Sequence, residues 1–260
     1  MMFNNINVYI GKNVVLGKNV KIGDNTTIYD NVEIGDNTII CSNCILGEPV
    51  GAYYRKNDYN NPKLTIGSDC VIRSNTIIYA GTIIGNKLQT GHHTIIRENN
   101  ILGDGCVVGV YCNILDGCKI GNYVHFHSYD SIAENSIIDD FCYFYPFVTV
   151  TDDPTPPSNC WLPCKFGKFT VIASNAFILP GTEVGKHCFI TAQSRVGGKF
   201  EDFSFINGSP AKRVFDTRKV PIINRETKRR QYPWPYNFER NMPWESIGFD
   251  KWCEETGESL

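Results

Sequence analysis

An apolar residue returns at every sixth position through most of this chain, and that spacing restricts the fold more than any other feature. The series runs from Ile10 through Leu16, Ile22, Ile28, Ile34 and Ile40 to Leu46, then resumes at Ile66 and keeps register to Val150. A third block runs from Phe166 to Val196, and Thr90 alone breaks the apolar rule. Six is not a multiple of the 3.6-residue helical turn, so no helix face collects these side chains. The Ile, Val, Thr and Asn content favours strands and turns instead. Asn or Asp often stands three places after the apolar residue, as at Asn13, Asn19, Asn25, Asn31, Asn37 and Asn43, and glycine often follows it directly. Gly, Asn and Asp tolerate the positive φ that a tight corner demands.

A unit of one short strand and one corner closes into a coil when three units form a triangle, which makes eighteen residues one rung. Successive rungs then pair as parallel strands about 4.8 Å apart, with the apolar column inside. The expected fold class is all-β, a parallel β-helix of hexapeptide repeats with projecting loops and a C-terminal arm. Its expected divisions are a solenoid over residues 1–200, out-of-register loops at 47–65 and 151–165, and a C-terminal strand and arm over 201–260. In the arm, "PWESIGFDKWCEET" reads as a short helix over 243–256 with Pro243 in its first turn. The basic run "RETKRR" reads as a solvated arm packed on a neighbouring subunit rather than a nucleic-acid patch, because the whole chain carries a net charge of only −2.

Eleven cysteines invite a disulfide framework or a metal site. Eight of them, Cys44, Cys70, Cys106, Cys112, Cys118, Cys142, Cys164 and Cys188, lie two residues before an apolar member of the series, where a coil needs a small inward side chain. They read as packing, and "CSNC" at Cys41 to Cys44 has no second pair at zinc-finger spacing. The N-terminus lacks a basic start followed by an apolar segment, and no stretch approaches the roughly 20 apolar residues of a membrane span. A cytoplasmic protein without a membrane partner is expected.

Eighteen-residue stacking also places chemistry. Side chains flanking the inward residue point outward, which sets His125 and His127 on one outer face with Gln89, Val107, Tyr143 and Tyr145. Gly91 and Gly109, in the column of His127, read as a shallow groove for a long ligand, and His187 reads as a surface corner. Glu98, Asp116, Glu134 and Asp152 share one corner column, so like charges stack about 4.8 Å apart. Asp116, near His127, is the candidate to bind a substrate ammonium and accept its proton, with Glu98 or Glu134 close enough to perturb it. An acidic, solvated corner and a histidine-lined subunit contact have the same pattern, so both readings stay open at this point.

"IASNAFILPGTEVGKHCFITAQSRV" followed by "INGSPAKRV" resembles the end of the hexapeptide-repeat acyltransferases. That resemblance covers about Ile10 to Val214 and implies a left-handed coil, homotrimers with sites in the clefts between subunits, and acyl-CoA as donor. "LQTGHHTIIREN", "NYVHFHS", "TDDPTPPS" and the "YPWPYNF" tail are similar to the N-acetyltransferases of dTDP-linked 3-amino-3,6-dideoxyhexoses. The implied reaction moves acetyl from acetyl-CoA to the amine of a nucleotide sugar for surface glycan synthesis, with no metal and no nucleic-acid partner. The matched motifs imply cofactor contacts at Ala173 and Ala192, with Lys212 and Arg213 at the phosphates. They imply catalytic roles for His127 and for Asp116, which stands where the superfamily's frequent catalytic histidine falls. His92, Arg97, Tyr79, Glu98, Glu134 and Asp152 are the candidate substrate contacts.

Two other acyltransferase readings, a sugar O-acetyltransferase and a tetrahydrodipicolinate acyltransferase, share the donor end. A β-helical metalloenzyme such as a carbonic anhydrase fits poorly, because one residue separates His125 from His127 where that family spaces its ligands His-x4-His. A non-enzymatic, ice-binding solenoid fits poorly because the faces are broken by His, Tyr, Arg and acid.

Overall fold

The computed structural model describes residues 3–56 and 58–258. Three parallel sheets of 10, 10 and 11 strands wrap one another as the sides of a triangular coil. Their register is the eighteen-residue step wherever no loop intervenes: Ile77 pairs with Ile95 and Asn113 with Ser131 on the first side, and Val107 with His125 and Tyr143 on the third. Most strands are only two residues long, because the corner takes the rest of each unit. The inward column forms one continuous core along the coil, including Ile28, Leu46, Ile78, Phe126, Phe144 and Ile190, and all eight in-register cysteines are buried in it. Ile10 and Leu16 stay exposed, since their coil is the first and no strand among the described residues stacks beneath it.

The corners explain a substitution pattern along the chain. The third residue after each apolar position adopts φ near +60°, which Asn13 to Asn43 accept readily. Further along, aromatic residues take the same strained place, at Tyr111, Tyr123, Tyr129, Phe141, Phe147, Phe169 and Phe203, joined by His93 and His187. Ring stacking offsets the strain. One ladder runs Tyr123, Phe141, Phe169, His187, Phe203, with centroids 5.4, 4.9, 4.7 and 5.0 Å apart, and the Arg218 guanidinium caps it 4.0 Å from the Phe203 centroid. A second ladder, His93, Tyr111, Tyr129, Phe147, stands open to solvent on another corner.

The structure differs from the sequence expectation at the C-terminal end. Parallel pairing continues past residue 200, with Phe205 opposite Phe189, and the chain then turns back as the antiparallel strand Ala211–Asp216. The helix spans Phe249–Thr256 and starts after Gly248, so Pro243 lies in turns before it and not in its first turn. The Pro/aromatic part of the arm lies on its own coil. Trp234, Trp244 and Phe249 bury against Phe141, Phe169 and Val171, and Trp234 Nε1 donates to the Phe169 carbonyl at 2.9 Å. The basic residues Arg225 to Arg230 project from this arm, exposed. His187 is not a surface residue: the arm and the aromatic ladder leave it 4% exposed, and neither ring nitrogen has a hydrogen-bond partner among the described residues.

Candidate active site

Strands of the first sheet ending at Tyr79, Ile96, Ile114, Ile132 and Val150 all run into one corner, between the first and second sides of the triangle. Both long loops leave the coil there. Residues 47–65 follow the strand Ile45–Glu48, and 151–165 follow Thr149–Val150. The structure thereby gathers Tyr79, Arg97, Glu98, Asp116, Glu134 and Asp152 on a single edge flanked by the two loops. Arg97 grips Glu98 through two guanidinium nitrogens, Nε to Oε2 at 2.6 Å and Nη2 to Oε1 at 2.7 Å, and lies 5.2 Å from the Tyr79 ring centroid.

These contacts divide the acids. Burial works to raise the Glu98 carboxyl, but the Arg97 bonds outweigh it and hold Glu98 below its ordinary range. Glu134 is pushed the other way, by desolvation first and then by the like charge of Asp116. Repulsion between the two favours a cation bound beside them or a proton on Glu134. Glu134 is thus the partner of Asp116, and Glu98 belongs to Arg97. The Glu134 N–H donates to Asp152 Oδ2 at 3.2 Å, which ties the root of the second loop to the acidic column.

His127 lies elsewhere. It opens the corner between the third and first sheets, while Asp116 stands at the corner between the first and second, with a side of the triangle between them. Within one chain the two candidate catalytic residues are not neighbours, contrary to the expectation that Asp116 lies near His127. His127 stacks on Tyr145 at 4.7 Å and His125 on Tyr143 at 5.0 Å. Burial lowers both imidazoles, His125 to about 4, so both are neutral near pH 7.

Both histidines do point outward, yet they are covered in a way that the repeat does not disclose. Arm residues Phe238, Arg240, Met242 and Glu245 roof a cleft of about 680 Å³ whose floor includes Val107, His125, His127 and Tyr143. Gly91 and Gly109 do not serve as an open groove. A Cβ on Gly109 would sit 1.1 Å from the His127 carbonyl oxygen, and one on Gly91 2.3 Å from the Val110 nitrogen, so close approach of adjacent rungs requires these glycines.

The remaining candidates follow the His127 corner along the coil. Ala173 and Ala192 lie on that same edge, but the Ala173 N–H is already bonded to the Ile190 carbonyl at 2.9 Å, so it is not free to bond a ligand. Lys212 and Arg213 are exposed on the final strand, opposite Asn207 and Ile206. The register His125, Tyr143, Val171, Phe189, Phe205 runs four rungs to the strand that they pair with, which puts them five strand spacings from the histidines, about 24 Å at 4.8 Å each. His92 is exposed two rungs on the other side. Among the described residues no group of three or more His, Cys, Asp or Glu is arranged to hold a metal ion, and no helix is long and apolar enough to cross a membrane.

The family model for the bacterial transferase hexapeptide (six repeats) matches residues 13–48. Among solved structures, the UDP-N-acetylglucosamine acyltransferase of Arabidopsis superposes with a TM-score of 0.59 at 16% identity, over 98% of this chain and 88% of that one. The UDP-N-acetylglucosamine O-acyltransferase of Moraxella catarrhalis RH4 gives 0.49 at 19% identity over 80% of this chain, and this chain spans 65% of that enzyme. No curated protein sequence matches the chain significantly. The six-residue series of this chain continues beyond the matched residues to Val196. The fold is the parallel β-solenoid of the Arabidopsis enzyme, in agreement with the left-handed coil that the sequence resemblance implies.

Proposed function

We propose that this protein is an acetyl-CoA-dependent N-acetyltransferase acting on a nucleotide-linked amino sugar, with a dTDP-linked 3-amino-3,6-dideoxyhexose as the acceptor and surface glycan synthesis as the setting. The observation that carries the reading is the acidic column of Asp116 and Glu134, whose mutual repulsion helps to raise the Glu134 carboxyl, at the corner from which both loops project. Such a pair binds an ammonium group and relieves it of its proton. The free amine then attacks the thioester carbonyl, a C–N bond forms, the C–S bond breaks, and the coenzyme leaves as a thiolate that takes up a proton.

The donor lies along the His127 edge, with its phosphates at Lys212 and Arg213. A separation of about 24 Å calls for an extended donor arm. Donor edge and acceptor corner meet only if the corner of one chain faces the edge of another, which favours a homotrimer. Tetrahydrodipicolinate, a dianion, would be repelled by the acidic column. A hydroxyl acceptor, as in a sugar O-acetyltransferase, has no positive charge for the pair to hold.

Thiol release from acetyl-CoA against a panel of nucleotide-linked amino sugars, with the matching hydroxy sugars as controls, tests the reading. Release with amino sugars only is expected, and release with the hydroxy sugars instead would replace it with O-acylation. Removing both charges at Lys212 and Arg213 should raise the KM for acetyl-CoA severalfold and leave that for the sugar nearly unchanged. A change confined to the sugar KM would mean that the ends of the coil are assigned backwards.

A further inference from the structure

Each corner of the coil opens with the residue after the apolar one, and the carbonyl of that residue faces inward, away from water. The chain satisfies these carbonyls by a recurring device. The inward residue three positions on donates to it: Thr76 to Arg73 O, Thr94 to Gly91 O, Asn100 to Arg97 O, Ser136 to Ala133 O, Thr182 to Leu179 O and Ser204 to Glu201 O, at 2.6 to 3.2 Å. A second donor often comes from one rung back, as Thr82 reaches Arg97 O at 2.8 Å. At the corner opened by His127, Cys112 Sγ fills the second role at 3.3 Å. The residue three positions on is Asp130.

Asp130 is 1% exposed inside the coil. Its Oδ1 accepts the Val148 N–H at 2.9 Å, just as Asn100 Oδ1 accepts the Cys118 N–H at 2.7 Å. Asn100 spends its other terminal atom, Nδ2, on Arg97 O. The matching atom of Asp130 is Oδ2, buried and without a partner among the described residues, in the place from which Asn100 reaches the carbonyl three residues back, here that of His127. A carboxylate oxygen placed there would oppose one lone pair to another. A carboxylic acid would reproduce the Asn100 arrangement, because it carries one O–H donor.

We infer that Asp130 is a neutral carboxylic acid in the folded chain, that its Oδ2–H donates to the His127 carbonyl, and that it is thereby the positioning residue of the corner carrying His127. The surroundings agree. Desolvation raises its pKa from 3.8 to about 7. From the neighbouring rungs it faces Val148, which is apolar, and Cys112, whose thiol burial pushes up to about 12 and keeps uncharged. The His127 ring points outward and is neutral. The catalytic importance of the corner rests on the function proposed above, whereas the protonation state does not.

Infrared difference spectroscopy of the full chain at pH 5.5, wild type minus Asp130→Asn, should show a protonated-carboxyl C=O band in the wild type. Carboxylate bands in its place would overturn the inference. Thermal melts supply a second reading that needs no substrate. A folded-state pKa above the unfolded value means that the native chain holds a proton the unfolded chain releases, so wild-type stability falls as pH rises from about 4 to about 7. The Asn variant lacks that term, and its Tm relative to wild type should climb by a few degrees between pH 4.5 and 8; a difference independent of pH would also overturn the inference. With an acceptor in hand, Asp130→Val should lower kcat at least tenfold and Asp130→Asn should recover most of it, with the alkaline loss of activity removed. Equal losses in the two variants would show that the proton does not position His127.

Discussion

The Asp116–Glu134 pair was half-legible in the sequence. The eighteen-residue spacing put four acids on one corner, but spacing alone could not tell which acid Arg97 would claim, because that depends on where a long side chain lies. Two consequences follow for Asp116→Asn. Removing the like charge should let Glu134 titrate closer to its ordinary range, though not reach it, since desolvation is the larger cause of its shift; carboxyl carbon NMR measures this directly. Turnover should also fall roughly 10- to 1,000-fold, because part of the amine is already neutral and needs no base. His187 was misread as a surface corner, since nothing in the repeat reveals what covers it. Its pKa is depressed to about 4 by burial, below an unfolded value of 6.5, so it contributes stability above about pH 6.5 that is lost as pH falls toward 4. His187→Phe should extend the ladder between Phe169 and Phe203 and flatten the fall in Tm between pH 6.5 and 4. A slope equal to the wild type would mean that the buried imidazole is not what the acid attacks.

Elements that obey the six-residue rule were readable almost to the residue, because each inward position repeats the same demand for an apolar group. The arm obeys no rule of that kind. Its proline and aromatic residues announce packing, but with no period there is no register, so neither its docking on its own coil nor the cleft it roofs above His125 and His127 could be read beforehand. The exchange of Asn for aromatic rings at positive φ is the nearest signal. Tyr123, Phe141, Phe169 and Phe203 recur on one corner late in the chain, and that ladder is the surface the arm covers. Trp244 is the arm's fully buried anchor, bonded through Nε1 to the Phe238 carbonyl at 2.9 Å. Trp244→Ala should cost about 3–5 kcal/mol of arm docking. Protease should then cut between the last strand and the helix well before the coil unfolds, and Tyr143 and His125 should become accessible to solvent. Simultaneous loss of coil and arm would show that they fold as one unit.

At the scale of the whole molecule, the coil is a ruler that keeps its chemistry on separate corners. Asp116 and the loops occupy one edge and His127 occupies another, so a single chain holds the two proposed catalytic residues a triangle side apart. An acyl transfer needs its reacting atoms about 3 Å apart before chemistry begins. If both residues serve one reaction, the cleft must take Asp116 from one chain and His127 from another, and genetics can ask this directly. Asp116→Asn and His127→Ala chains, each impaired as a homo-oligomer, should recover activity when co-expressed or refolded together. Random mixing then pairs an intact Asp116 with an intact His127 in about a quarter of the clefts of a cyclic trimer. Activity should approach that fraction of wild type, while light scattering reports three chains per particle. Mixed particles that stay as inactive as either parent would assign both residues to a cleft within one chain, or release one of them from the reaction.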